Sequence, residues 1–298
     1  MRILDLVKIS GKFVLYGQQR LVCLSLMLIA ACGTSVCRSQ QHSYAGFDRN
    51  GYPGDSSLPA LRMNFQFAGY WLNNPPGAAQ NGWTGKRALL REKGFGFLVL
   101  FNGRLDAELK GKDAVGLGMA DGKKAVAAAA REGFPRKVII FLDQEEGGRL
   151  LQEQADYIFA WADAVRVGGA RAGVYCSGID VPEGNGKINT AEQLTDLDKS
   201  RGKSGEQWLR IWIFNDQCPP SPGCTPAHAQ LSAAVPPALK ESVVAWQYAR
   251  SPRAMEFTSG CPANYASDGL CYAPDLAHNA NSFVDLNAAG SADPSEGR

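Results

Sequence analysis

Residues 137–148 read Lys137-Val138-Ile139-Ile140-Phe141-Leu142-Asp143-Gln144-Glu145-Glu146-Gly147-Gly148. The first half is an unbroken run of β-branched and bulky apolar residues, the composition of a parallel strand covered on both faces by helices. The second half stops in three carboxylates and two glycines. Side chains alternate along a strand, so Asp143 and Glu145 point to one side and Glu146 to the other. Two carboxylates at that spacing, where a buried strand ends, must be solvated or paired, because a low-dielectric rim penalises an isolated charge. A plain acidic loop after a strand uses the same residues, so the rest of the chain has to decide.

Seven further strand signals flank this one, at residues 44–48, 65–72, 95–101, 172–178, 209–214, 243–249 and 282–287. Helical periodicity falls between them, at 83–93, 121–132, 150–167 and 190–199. Eight strands alternating with helical or loop connections over about 250 residues predict an α/β fold of the (β/α)8 barrel type. A doubly wound open sheet is the structural alternative; no glycine-rich phosphate turn follows the first strand, which counts against its dinucleotide-binding form.

The 298 residues carry a formal net charge of +2 and no sustained basic run, which points away from nucleic acid. An apolar block at 21–31 is preceded by Lys8, Lys12 and Arg20 and is too short to span a bilayer comfortably, the pattern of a secretory leader. It closes as Leu28-Ile29-Ala30-Ala31-Cys32, which resembles the lipobox of bacterial lipoproteins and implies acylation of Cys32; ordinary cleavage near Ala31 fits the same residues. The expected organisation is a leader over 1–31, a polar tether over 32–43, a barrel over 44–288 and a flexible tail over 289–298. Export to the periplasm or cell surface follows, with membrane contact only through the leader or the lipid.

Outside the leader stand Cys37, Cys176, Cys218, Cys224, Cys261 and Cys271. Cys218 and Cys224, and Cys261 and Cys271, are close pairs in loop-like sequence, where local disulfides are the simplest pairing in an oxidising compartment; a cross-loop arrangement is the other option. With His42, His228 and His278 as the only histidines, no zinc centre and no cofactor is expected.

A barrel of this type carries its chemistry at the C-terminal ends of its strands. Asp48 ends the first strand, Asp143 and Glu145 end the fourth, and Asp285 lies near the end of the eighth. Strands one and eight are neighbours in a closed barrel, so Asp48 and Asp285 should sit side by side across the mouth from the Asp143/Glu145 pair. Trp71, Trp212, Trp246 and Tyr248 lie at or near strand ends, and Trp246 and Tyr248 share a face by the period of two. Sugar rings offer apolar C–H faces to such side chains, so an acid-lined mouth with aromatic walls suits a polysaccharide; core packing of the same rings is the alternative.

Phe47-Asp48, Leu142-Asp143-Gln144-Glu145, 172–177 (Ala-Gly-Val-Tyr-Cys-Ser), Trp246-Gln247-Tyr248 and Val284-Asp285-Leu286-Asn287 resemble, in order and spacing, the strand motifs of glycoside hydrolase family 25, the lysozyme-type muramidases. They are more similar still to the bacterial glycoside-hydrolase-like family formerly called domain of unknown function 1906. The resemblance implies metal-free cleavage of peptidoglycan glycan between N-acetylmuramic acid and N-acetylglucosamine. It implies that Glu145 is the general acid, that Asp143 assists the substrate's own N-acetyl group as internal nucleophile, and that Asp48 and Asp285 are flanking acids. Glu146 is a third acid that the lysozymes do not usually need, and it is counted with Trp71, Trp246 and Tyr248 among the substrate contacts. A catalytically inactive, monomeric glycan-binding barrel at the cell envelope is the alternative function.

Overall fold

The computed structural model describes residues 42–202, 208–215, 231, 235–249 and 284–298. In chain order the elements are β1 (Tyr44–Asp48), α1 (Leu58–Asn64), β2 (Phe67–Trp71), α2 (Arg87–Glu92), β3 (Gly96–Asn102), α3 (Asp106–Leu109), α4 (Ala114–Arg131), β4 (Ile139–Gln144), α5 (Gln152–Val167) and β5 (Arg171–Ser177). A small hairpin of β6 (Val181–Glu183) and β7 (Gly186–Ile188) follows, then α6 (Thr190–Arg201), β8 (Arg210–Phe214), β9 (Val243–Ala249) and β10 (Asp285–Ala289). All but the hairpin strands close into one eight-stranded barrel in the order β1-β10-β9-β8-β5-β4-β3-β2.

Burial explains why these runs are strands. β2 is buried at every position, as are all six residues of β4, because the barrel interior covers one face and the outer layer the other. The helices begin where caps allow. Asp113 accepts a hydrogen bond from the Gly116 amide at the start of α4, and Asn189 accepts one from the Glu192 amide at the start of α6, at 2.8 and 2.9 Å. The Asp113 cap places the start of α4 well before residue 121, where alanine-rich periodicity alone begins it.

Seven strands run parallel, as a (β/α)8 barrel requires. The eighth does not: β10 is antiparallel to both β1 and β9. Alternation of side chains carries no information about strand direction, so the sequence pattern alone could not expose this. The consequence for the mouth is direct. Asp285 opens β10 rather than closing it, and the reversal brings that opening end to the same rim as the last residue of β1, with Asp48 and Asp285 direct register partners.

The residues from 290 onward are not a frayed tail. The Phe97 N–H donates to Asp293 Oδ1 (2.9 Å), Val99 N–H donates to Ser295 Oγ (2.9 Å), and Ser295 exchanges backbone bonds with Phe97 and Ile139, both 2.8 Å. Pairing of β3 with β4 begins only at Val99 and Ile140, so the segment fills the gap below it and completes backbone groups that would otherwise be buried without partners. Its small polar residues read as loop because they are chosen to accept those bonds, not to form an element. Gly96 makes room: a Cβ there would lie 2.0 Å from the Ala292 carbonyl oxygen.

Arg87 locks the segment from outside. Its Nε and Nη2 donate to the Gly297 carbonyl at 3.1 and 2.6 Å, and its guanidinium lies 4.7 Å from the Phe134 ring centre. Arg87 is itself buried, so truncation removes a charge-assisted bond and a cation–π contact and leaves the carbonyl unsatisfied. Arg87→Ala is expected to cost about 2–4 kcal/mol of stability, read from urea unfolding midpoints.

The leader, the tether up to residue 41 with Cys32 and Cys37, and the loop cysteines Cys218, Cys224, Cys261 and Cys271 lie outside the described residues. Cys176 is a buried thiol on β5, pushed up in pKa by that burial.

Candidate active site

A cavity opens at the rim where β1 to β5, β8 and β9 end and β10 begins. Asp48, Asn50, Trp71, Leu100, Asp143, Glu145, Tyr175, Trp212, Phe214, Gln247 and Asp285 line it, around roughly 520 Å3 of free space counted out to the open mouth. All four acids expected from the sequence are in this set. Each reaches the cavity because it stands on the inward register of its strand or just past the strand's end.

Asp48 and Asp285 form the cavity's most constrained part, both only 7% exposed. Like charges directly opposite on adjacent strands repel, so the pair needs a proton or donors. Donors come from two neighbouring side chains. Gln247 Nε2 donates to Asp48 Oδ1 at 3.0 Å, Asn287 Nδ2 donates to the same oxygen at 2.6 Å, and Gln247 Nε2 also stands 3.5 Å from Asp285 Oδ2. Behind them, the Tyr175 hydroxyl donates to Gln247 Oε1 (2.8 Å) and the Trp212 indole N–H donates to Asn287 Oδ1 (2.9 Å). Burial first, then Asp285, raises the Asp48 carboxyl well above its ordinary 3.8, against the pull of the two amides. The Tyr175 phenol is raised well above its ordinary value too, by burial and by the surrounding charges of Asp48, Asp143, Asp285 and Glu145.

A close approach of strands holds Asp48 in place. A Cβ on Gly69 of β2 would fall 2.5 Å from the Asp48 Cβ, so only glycine lets β2 pass this near.

On β4, alternation works as the spacing requires. Asp143 is buried and Glu145 is exposed, and both face the cavity. Glu146 turns the other way. Its Oε2 accepts from the Asp106 amide at the start of α3 (2.8 Å), from Gln154 Nε2 on α5 (2.7 Å) and from Gln144 Nε2 (3.4 Å). It is therefore a tie between β4, α3 and α5 and does not line the cavity, which corrects the place that the sequence reading expects for it. The period of two, continued one residue beyond the strand, is the cause.

Two of the aromatic expectations are also corrected. Trp246 and Tyr248 do share a face, with ring centres 5.1 Å apart, but it is the outer face. Gln247 between them is the residue that points inward, so both rings leave the cavity. Trp246 Nε1 donates to Asn215 Oδ1 at 2.6 Å, and Tyr248 is fully buried. Trp71 does line the cavity, with its indole N–H fixed on the Arg49 carbonyl at 3.0 Å. Trp212 joins it there, 4.7 Å from Tyr175 between ring centres.

Tyr175, Phe214 and Gln247 line the cavity and Asn287 backs Asp48, places that the sequence reading does not single out. Register would have found three of them: Tyr175 is the neighbour of Asp143 across β4 and β5, Gln247 is the inward residue between two outward rings, and Asn287 follows Asp285 by two. Among the described residues, no group of three His, Cys, Asp or Glu side chains is placed to hold a metal ion. The arrangement suits proton transfer and the packing of a ring-shaped polar substrate against aromatic faces.

Residues 67–211 match the model of the Rv2525c-like, glycoside hydrolase-like domain family. No curated protein matches the chain. Among solved structures, an uncharacterized protein of B. stearothermophilus is 20% identical, with a TM-score of 0.53 over 83% of this chain and 95% of that one. The Tat-secreted protein Rv2525c of Mycobacterium tuberculosis is 13% identical, with a TM-score of 0.45 over 82% of this chain and 93% of its own. A family 25 glycosyl hydrolase of Bacillus anthracis is 12% identical, with a TM-score of 0.42 over 83% and 88%. At 20% identity the B. stearothermophilus structure speaks for the fold alone.

Proposed function

Since residues 67–211 match the model of the Rv2525c-like, glycoside hydrolase-like domain family, we propose that this chain hydrolyses glycan of the bacterial cell envelope, at the muramic acid linkage of peptidoglycan. The observation that carries this reading is the convergence of Asp48, Asp143, Glu145 and Asp285 with Trp71, Trp212 and Tyr175 in one open cavity. Glu145, at the mouth, protonates the glycosidic oxygen as the C–O bond breaks. Asp143, one inward residue deeper, accepts the N–H of the substrate's acetamido group, whose carbonyl oxygen closes on the anomeric carbon. Water then opens that ring and returns a proton to Glu145. Asp48 and Asp285 hold the sugar at the floor, and Trp71 provides a ring face. The chain is exported by its leader and tethered through acylated Cys32, and it works as a monomer.

The test is incubation of the full chain with purified peptidoglycan, following soluble reducing ends and pelleting. Release of reducing ends supports hydrolysis; pelleting without release supports the second reading, a glycan-binding barrel. One observation favours that reading: Glu145 is exposed, whereas a general acid gains from being desolvated.

A further inference from the structure

Two amides at and behind the cavity wall, Gln247 and Asn287, have no part in the cleavage steps above, yet each is held at both ends. A side-chain amide has two ends of similar size, and the wrong end would set a carbonyl oxygen against a buried carboxylate. An indole N–H can only donate, so Trp212 requires the oxygen of Asn287 to face it and leaves Nδ2 for Asp48. The Tyr175 hydroxyl, which could also accept, donates to Oε1 of Gln247 and leaves Nε2 for Asp48. Gln247, Asn287, Tyr175 and Trp212 are all buried, so no solvent competes for these bonds. Both amide donors converge on one oxygen, Oδ1 of Asp48.

We propose that Gln247 and Asn287 are positioning residues which, keyed by Tyr175 and Trp212, saturate Oδ1 of Asp48 and so make Oδ2 the oxygen that takes the proton when Asp48 is protonated. The clamp rests on the glycan-cleaving reading only for its use: it fixes where the floor of the cavity offers a hydrogen-bond donor to a sugar. The groups facing Asp48 favour its protonated form. Asp285 faces it from β10, Glu145 from the end of β4 and Tyr175 from β5, with Asp143 facing the same phenol; Gly69 of β2 and Gln247 of β9 bring no charge. Burial and Asp285 hold the proton on, and the two amides moderate that hold.

The measurement is a carbon-13 carboxyl titration of the full chain, with the Asp48 signal assigned by its loss in Asp48→Asn, beside Tyr175→Phe and Trp212→Phe. Removing either key lets its amide rotate and weakens a donor to Asp48, so the Asp48 midpoint moves up by about one pH unit in each variant. Tyr175→Phe keeps the ring and its packing, so its result decides the matter if Trp212→Phe does not fold. A folded Tyr175→Phe protein with an unmoved midpoint overturns the proposal. The readout is a proton and not a product, so a chain that cleaves no glycan but shows the shift keeps the clamp while losing the hydrolase.

Discussion

On the proposed function, Glu145→Gln is expected to lower the rate of reducing-end release from peptidoglycan by about 10^2- to 10^4-fold, the usual worth of a positioned general acid. Glutamine has the size of glutamate and a comparable acceptor, but it has no proton to give to the leaving oxygen. Because Glu145 is exposed and, among the described residues, no hydrogen bond ties it into the fold as Glu146 is tied, the variant's stability is expected to stay within about 0.5 kcal/mol of the parent. Binding to the glycan is retained, since Trp71 and the cavity floor are untouched. Glu146→Gln gives the reverse pattern. It weakens acceptance from Asp106 and Gln154 and lowers the melting temperature, with turnover reduced only as far as the folded fraction falls. Initial rates and thermal unfolding of the two variants side by side separate the two acids.

Asp48→Asn is expected to make the chain more stable at neutral pH and inactive at once. The sign follows from proton linkage. The folded-state pKa of Asp48 lies well above its ordinary 3.8, so between those two values the folded chain holds a proton that the unfolded chain has released. Stability is therefore full at and below the ordinary value and is lost as pH rises through the folded one, at about 1.4 kcal/mol for each pH unit of the interval. Asparagine is neutral throughout and keeps an Oδ1 that accepts from both Gln247 and Asn287, so the penalty disappears, while the carboxyl that holds the sugar at the floor of the cavity is replaced by an amide whose Nδ2 only donates there and cannot accept. Urea unfolding from pH 4 to pH 8 checks it: the parent loses stability with rising pH and the variant holds level. A variant less stable than the parent at pH 7, with the same slope, would mean that Asp48 is ionised and held by the amides. A gain in stability on removing an acid is the mark of a site strained for use.

The barrel was legible because each strand is a compact apolar run with its own end signal, and the eight runs keep their order. The four acids were legible for the same reason: they mark where those runs meet solvent. Direction was not legible. Asp285 alternates with Asn287 whichever way β10 runs, and only pairing with β1 and β9 fixes it. Nor was the difference between an inward and an outward ring. Trp246 and Tyr248 satisfy a period of two as well facing the outer layer as facing the cavity, and Gln247, which has the inward place, looks unremarkable beside them. The segment at 290–298 was misread because its value lies in accepting bonds from Phe97, Val99 and Ile139, which are distant in sequence. Glu146 shows the limit of a run of acids as a signal. One of three adjacent charges ties helices together, and only its partners reveal that.

The claim at the centre is that the four-acid cavity adds water across a glycosidic bond. Purified peptidoglycan is digested by the full chain in water enriched in oxygen-18, and the glycan products are read by mass spectrometry. The expected result is new reducing-end fragments carrying one heavy oxygen, absent when Glu145 is replaced by Gln. Glycan recovered intact from a folded chain that still pellets with it would contradict hydrolysis and leave the cavity a binding site.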